Sequence, residues 1–383
     1  MKKVFVQLES GRGYGRDILK GIHDYNNQYS KWEIIFETAY YLKTNKNRDI
    51  IKLVSEIRPD GCILENIDNI ESFVKLGIPI IQTSSINVNT TNTPYLQGNY
   101  DADGKMAFDY FSSKGFKNLA FFGVNKVSWS DNRLESFKKH AKLRNTNIHN
   151  YVPTKKIKTK GLSHDLKDII IWLKALPKPI GILCCNDDLG LILINACSMA
   201  GLKIPYEIAI LGIDNDELLC NIANPKLSSI ARNHTKVAFN ACKILDDLMN
   251  GIPIKNNIIP TEPLNIVERT STDTIASKDV EVIKALNFIR SNTHLNLTVN
   301  DVVEKTTISR RSLYTRFRKV TNRTILEEIQ FHKIKKFKEL LIAQKLSVKE
   351  IAFCLGFDDI SHISRWFSAI EGITPIKWRN DNI

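Results

Sequence analysis

The sequence has no CxxC pair, no HExxH run and no GK[ST] phosphate loop. Its seven cysteines, Cys62, Cys184, Cys185, Cys197, Cys220, Cys242 and Cys354, are odd in number and dispersed. That pattern excludes a disulfide framework and a zinc site, and predicts reduced, mostly buried thiols. The eight histidines show no ligand-like spacing either. No apolar run approaches the roughly 18 residues of a membrane span. Gln7 and Glu9 break the first apolar stretch at once, so the N-terminus does not read as a signal peptide, and a cytoplasmic protein is expected. The turn after that stretch, SGRGYGRD, carries Gly11, Gly13 and Gly15 and invites a nucleotide reading. A dinucleotide fingerprint needs a third glycine at the sixth position from Gly11, and Arg16 stands there. Its side chain would keep a pyrophosphate from the backbone. No nucleophile–base pair is evident. The expectation is a protein without cofactor, and not an enzyme.

What is present is a change of pattern along 383 residues, of which 43% are hydrophobic and 25% charged. Up to about residue 268, short β-rich runs alternate with helical periods. The runs are VFVQLE, WEIIFE, DGCILE, IPIIQT, LAFFGV, GILCCND, IAILGID and LSSIAR. Such alternation predicts parallel α/β sheets with right-handed crossovers, covered on both faces. So long a stretch favours two similar lobes, the first ending near residue 100. The polar run 271–279 reads as a linker. From Val280 only helical periods occur, so 280–383 is a separate all-α domain. The last 106 residues hold 19 Lys and Arg against 12 Asp and Glu, the first 277 hold 35 against 29. The basic excess per residue is about three times higher in the tail, which suggests a polyanionic partner.

The tail contains the same plan twice. In SVKEIAFCLGFDDISHISRWFSAI, Ser347 and Glu350 form a capping box and Gly356 ends a short helix. A second helix is predicted from about Asp359, with Ile363, Trp366, Phe367 and Ile370 inward. In LTVNDVVEKTTISRRSLYTRFRKV, Val299, Val302 and Val303 face one way on the first helix, and Leu313, Phe317 and Val320 on the second. The second helix turns Ser309, Arg310, Arg311, Tyr314, Arg318 and Lys319 outward. Two helix-turn-helix units on a helical spacer could enter successive major grooves of double-stranded DNA, about 34 Å apart. Cys354, Trp366, Phe367 and Trp378 read as core. The run S-x-x-x-L-x-x-x-F at Ser309, Leu313 and Phe317, I-A-x-x-x-G-F at Ile351 to Phe357, and G-I-T-P-x-x-W-R at Gly372 to Arg379 resemble the AraC family of transcription regulators. Trp378 replaces that family's usual Tyr or Phe. The resemblance places base-reading positions at Arg311 and Thr315 in one unit, and at Ser361 and Arg365 in the other, with His362 a further DNA contact. Arginine suits guanine O6 and N7, so Arg311 and Arg365 are the expected base contacts. Arg310, Arg318 and Lys319 are expected on phosphates.

The front domain ends two strands in polar clusters, Asn186–Asp187–Asp188 and Asp214–Asn215–Asp216. Trp129 and Arg133 lie between a third strand and its helix. An aromatic face with Asp and Arg around it is the chemistry of sugar recognition. Asp187 and Asp216 also read as helix caps. The GIDN run, and L-x-F-x-G followed by an Arg opening the next helix, resemble the sugar-binding domains of LacI-type repressors and periplasmic binding proteins. A LacI-type sensor joined to AraC-type units resembles the xylose-responsive activators. The resemblance implies an effector such as D-xylose or a related pentose, held between two lobes by Arg133, Asp214, Asn99, Trp129, Asp187 and Asn215. Tyr14 covers it, and Arg16 bonds either the sugar or a facing carboxylate. It also implies a homodimer on an operator, working with RNA polymerase. In this reading Gly13 and Gly15 let the backbone turn sharply.

Overall fold

The computed structural model describes residues 1–29, 32–38, 46–65, 70–83, 93–124, 126–151, 163–277, 279–343, 346–357 and 363–382. They divide into two compact units, Met1–Thr274 and Ile275–Ile383. Among the described residues, no helix is long and apolar enough to cross a membrane.

The strands of the first unit are β1 (Lys2–Leu8), β2 (Trp32–Thr38), β3 (Gly61–Leu64), β4 (Ile80–Gln82), β5 (Tyr95–Gly98), β6 (Asn118–Phe122), β7 (Ile148–Asn150), β8 (Ile180–Cys184), β9 (Ile208–Asp214), β10 (Ser228–Arg232), β11 (Ile258–Thr261) and β12 (Pro263–Val267). They form two six-stranded sheets, ordered β11-β5-β4-β3-β1-β2 and β12-β10-β9-β8-β6-β7. The two orders are the same pattern twice. The first sheet is parallel throughout, whereas β12 runs antiparallel to β10 in the second. Alternation along β1 explains the double cover. Val4, Val6 and Leu8 pack on Ile18, Ile22 and Val237 of helices Gly13–Tyr29 and His234–Met249. Phe5, with Cys62 and Leu64 of β3, packs on Ile50, Val54 and Phe73 on the other face. Burying each such side chain contributes about 1.5–3 kcal/mol. On the edge strand β2, Trp32 and Ile35 pack into the two cores, whereas Ile34 and Phe36 are exposed.

Two lobes are present, and the first does not simply end near residue 100. The chain passes into the second lobe after β5, returns after β10 to build helix His234–Met249 and β11, and crosses again to β12. The first half of the expected linker is docked structure. Ser271 and Thr272 are fully buried, and Ser271 Oγ donates to Ile210 O at 2.6 Å and accepts from Ser228 N at 2.8 Å.

The second unit is all helical: Val280–Ser291, Val299–Glu304, Arg310–Thr321, Ile325–Ala343, Val348–Cys354, Ile363–Glu371 and Pro375–Asn382. It has two cores. Val302, Leu313, Phe317 and Ile325 belong to one, and Phe337, Ile351, Leu355 and Phe367 to the other. The capping box of Ser347 and Glu350 forms, and Gly356 takes the left-handed φ of 65° that ends its helix. Four inward assignments change. Cys354 and Ile370 are exposed, because each lies on the outer side of a short amphipathic helix, and Trp366 and Trp378 only edge the core. The other six cysteines are buried. Burial pushes the Cys185 thiol up to about 11 and raises that of Cys184 well above its ordinary value, so neither is a ready nucleophile.

Candidate functional site: an interlobe cleft and two surface helices

In an open parallel sheet, side chains just beyond the strand ends gather where the strand order reverses. Here the two sheets aim those ends at one another. Glu9, Arg12 and Tyr14 follow β1, Glu65 follows β3, Trp129 and Arg133 follow β6, and Asp187 follows β8. Asp214 ends β9, while Arg232 and His234 lie at the end of β10. All of them line one cavity of about 140 Å³. A cavity of roughly 150 Å³ holds a benzene-sized ring. A single pyranose therefore fits closely.

The floor is a set of compensated charges. Arg133 is 6% exposed, yet donates from Nη2 to Asp214 Oδ1 at 3.1 Å, from Nε to Asp103 Oδ2 at 3.4 Å, and from Nη1 to the Cys185 carbonyl. Asp103, wholly buried, also accepts from Arg232 Nη1, and Arg232 Nη2 reaches Thr261 O and Oγ1 at 2.8 Å each. Two guanidiniums thus offset two carboxylates. Burial opposes ionisation of Asp214, but Arg133, His234 and Arg232 outweigh it and hold its carboxyl well below the usual range. A guanidinium has five N–H donors. Three of those on Arg133 are used by protein among the described residues, which leaves two. Its carbon lies 5.6 Å from the Trp129 ring centroid and 6.0 Å from that of Tyr100, which fixes the aromatic wall. The backbone contributes as well. Asp214 and Asn215 adopt φ of 99° and 54°, conformations that side chains rarely take and that cluster at binding sites.

Tyr14 lines the cavity as expected, its hydroxyl donating to the Thr83 carbonyl, while burial and the Glu65 charge push its phenol up. Arg16 does not line it. It pairs instead with Asp216 on the opposite lobe, the facing carboxylate of the second alternative, and borders a neighbouring polar groove, as does Asn215. Asn99 caps helix Tyr100–Ser113 and donates to Glu262 Oε2 at 2.9 Å, outside the cavity. Asp216 is both a cap, accepting from Leu218 N and Leu219 N, and part of the wall. Gly13 and Gly15 lie within a helix rather than a turn. A Cβ on Gly13 would come within 2.7 Å of Asp216, and one on Gly15 within 1.9 Å of the Glu9 carbonyl. Close approach, not left-handed backbone, requires them. Glu9, Arg12, Glu65, Arg232 and His234 were not singled out from the sequence. Position just past a strand end was the available signal.

Asp187 is 2% exposed, accepting from Ser229 Oγ at 2.6 Å and Asp216 N at 2.7 Å. The helix after β8 is capped by its neighbour Asn186 instead. Burial, then the Asp214 charge, raises the Asp187 carboxyl well above the ordinary range. A raised carboxyl gives stability that is full below the unfolded pKa, about 3.9, and is lost as pH rises through the folded value. Asp187→Asn is therefore expected to fall less in melting temperature between pH 5 and pH 8 than the parent protein does. Parallel pH curves in thermal unfolding would refute the assignment.

In the second unit, helix Arg310–Thr321 buries Leu313, Phe317 and Thr321 and exposes Arg311, Thr315, Arg318 and Lys319. Ser309 is its cap, accepting from Ser312 N at 3.3 Å. Arg310 stacks 5.5 Å from the Tyr314 ring and donates to Asn300 Oδ1 at 3.0 Å, so it is braced against the preceding helix. Arg316 forks onto Asp279 through two 2.7 Å bonds. In the other helix-turn-helix Arg365 is exposed near the start of Ile363–Glu371. Ser361 and His362, with the expected helix start at Asp359, lie outside the described residues. The 19-residue helix Ile325–Ala343 joins the two helix-turn-helix cores. Its length of about 28 Å, at about 1.5 Å per residue, is near the groove repeat.

Two family models match the chain: a periplasmic binding protein-like domain over residues 108–272 and a helix-turn-helix domain over residues 302–381. The xylose operon regulatory protein of Haemophilus influenzae is 26% identical over 387 aligned positions, covering 98% of each chain. A solved structure described as a xylose-binding transcription activator superposes with a TM-score of 0.76 at 23% identity, over 99% of this chain and 98% of that one. A periplasmic binding protein/LacI transcriptional regulator from Alkaliphilus metalliredigens, in complex with D-xylulofuranose, has a TM-score of 0.60 at 18% identity, over 72% of this chain and all of that one. The chain joins a periplasmic binding protein-like domain to a helix-turn-helix domain and is a full-length homologue of the xylose operon regulatory proteins.

Proposed function

We propose that the protein is a transcription regulator that binds D-xylose or a related pentose in the interlobe cavity and carries the signal to operator DNA. The observation that carries this reading is the cavity itself. It has the volume of one sugar ring, a neutral arginine–carboxylate floor with spare donors, and an aromatic wall. Such a surface suits an uncharged polyhydroxylated ligand. Sugar held by both lobes favours their closed arrangement to the extent that it binds that state better. Helix Glu217–Ile222, capped by the cleft residue Asp216, carries outward Leu218 and Ile222, 70% and 73% exposed. Their exposure supports a homodimer. Closure then changes how its helix-turn-helix units meet operator half-sites and RNA polymerase, with Arg311, Thr315 and Arg365 reading bases.

Thermal unfolding against D-xylose, L-arabinose, D-ribose and D-glucose tests it. A hundredfold excess over Kd stabilises the folded state by about 2.7 kcal/mol. In a domain of this size that is a rise of several degrees. A rise with a pentose and none with glucose is the expected result. No rise with any of them overturns the sugar assignment.

A further inference from the structure

The expected sugar contacts all lie on the lobe surfaces, but the cavity has a third wall where the chain itself passes between lobes. Arg232 ends β10 and His234 begins the helix that returns the chain to the first lobe. Both line the cavity and both are buried, at 6% and 3% exposure. His234 Nε2 lies 3.5 Å from Asp214 Oδ1. Its ring meets Tyr14 edge-on, with centroids 4.7 Å apart at 87°, which fixes the imidazole plane. Among the described residues, Nδ1 of His234 and Nε of Arg232 are buried with no hydrogen-bond partner. An orphaned buried polar atom is costly, and folded proteins keep few of them. Two of them, two residues apart on one crossing segment and against a cavity, call for a common explanation.

Resting on the pentose reading above, we propose that His234 is a sugar-contacting residue whose Nδ1 takes one hydroxyl of the pentose at the crossing segment. The protonation pattern follows from its neighbour. Asp214 can only accept, so Nε2 carries a proton toward it, and in the neutral ring Nδ1 then offers a lone pair. The sugar hydroxyl donates its proton to Nδ1, and its oxygen can still accept from Arg232 Nε. A single hydroxyl thereby satisfies both orphaned atoms. The sugar is then bound to the strand-to-helix crossing as well as to the two lobes.

Calorimetric titration of D-xylose and its monodeoxy analogues into the full-length protein tests this. His234→Phe keeps the ring against Tyr14 and removes both nitrogens. It also loses the Nε2 contact with Asp214, so it is expected to melt somewhat lower than the parent without sugar, and to bind D-xylose about tenfold more weakly, as loss of one hydrogen bond predicts. For the one analogue lacking the hydroxyl in question, parent and variant should bind alike. His234→Asn, whose amide falls near Nδ1, should bind more tightly than His234→Gln, whose amide falls near Nε2. That comparison holds even where the phenylalanine variant is poorly folded. Equal D-xylose affinity in parent and phenylalanine variant overturns the inference alone. So does a penalty that persists for every analogue, or equal binding by the asparagine and glutamine variants. A parent protein that binds no pentose overturns the functional reading and this inference with it.

Discussion

Arg133→Ala should abolish pentose binding outright and destabilise the sensor unit by about 3–5 kcal/mol, the cost of breaking a buried ion pair from one side. The structure explains why both effects appear together. The guanidinium is shared between Asp103 and Asp214, and its removal leaves the two carboxylates with Arg232 and His234 alone. The loss of binding is separable from the loss of stability. Arg133→Lys keeps a charge between the carboxylates but loses the planar fork that bonds three partners and retains two donors. It should fold, melt a few degrees lower, and show no further rise with D-xylose at concentrations that saturate the parent. A lysine variant that still responds to sugar would place the ligand elsewhere.

Arg365→Ala should weaken specific operator binding roughly 10- to 100-fold while changing non-specific binding little. The basis is the value of one bidentate arginine–guanine contact, about 1–3 kcal/mol. Arg365 is exposed near the N-terminal end of its helix, where base-reading side chains of such units lie. Arg318→Ala makes the contrast. It is expected to weaken all DNA binding evenly and to lower the salt slope by about one. A gel-shift or fluorescence titration at several salt concentrations, on operator and random duplex, measures both. An Arg365 variant with an unaltered specificity ratio would refute its assignment to a base.

Eight strands were legible because each is a short apolar run bounded by turn residues. The four that were not share a different physics. β7 is three residues of an edge strand with a mostly polar sequence, IHN. β11 and β12 contain proline, which a sheet tolerates at an edge, and both lie at sheet edges. β5 is only four residues long. Missing β11 hid the return of the chain to the first lobe. In the site, Arg133, Asp214, Trp129, Asp187 and Tyr14 were visible as polar or aromatic residues beside strand ends, and the fold brings them into one cavity. Arg232 and His234 were invisible because nothing in LSSIARNH says that a strand ends at a lobe crossing. Arg16 shows the converse. Its sequence neighbourhood pointed to the cleft, and only the geometry distinguishes a cavity wall from an ion pair with Asp216 beside it.

The passage of β11 back into the first sheet has a consequence for synthesis. β5 is complete at Gly98, but its partner β11 begins at Ile258. On the ribosome the first lobe must wait for roughly 160 further residues, on the order of ten to thirty seconds at roughly 5–20 residues per second. For that interval the nascent chain presents the bare edge of β5, and its hydrophobic face lacks the helix His234–Met249 that covers it in the finished protein. An unpaired edge beside uncovered apolar surface is a template for aggregation. Synthesis of this protein should therefore depend on chaperone capacity more than its finished stability suggests, and a stop shortly after residue 100 should yield an insoluble fragment rather than a free-standing lobe.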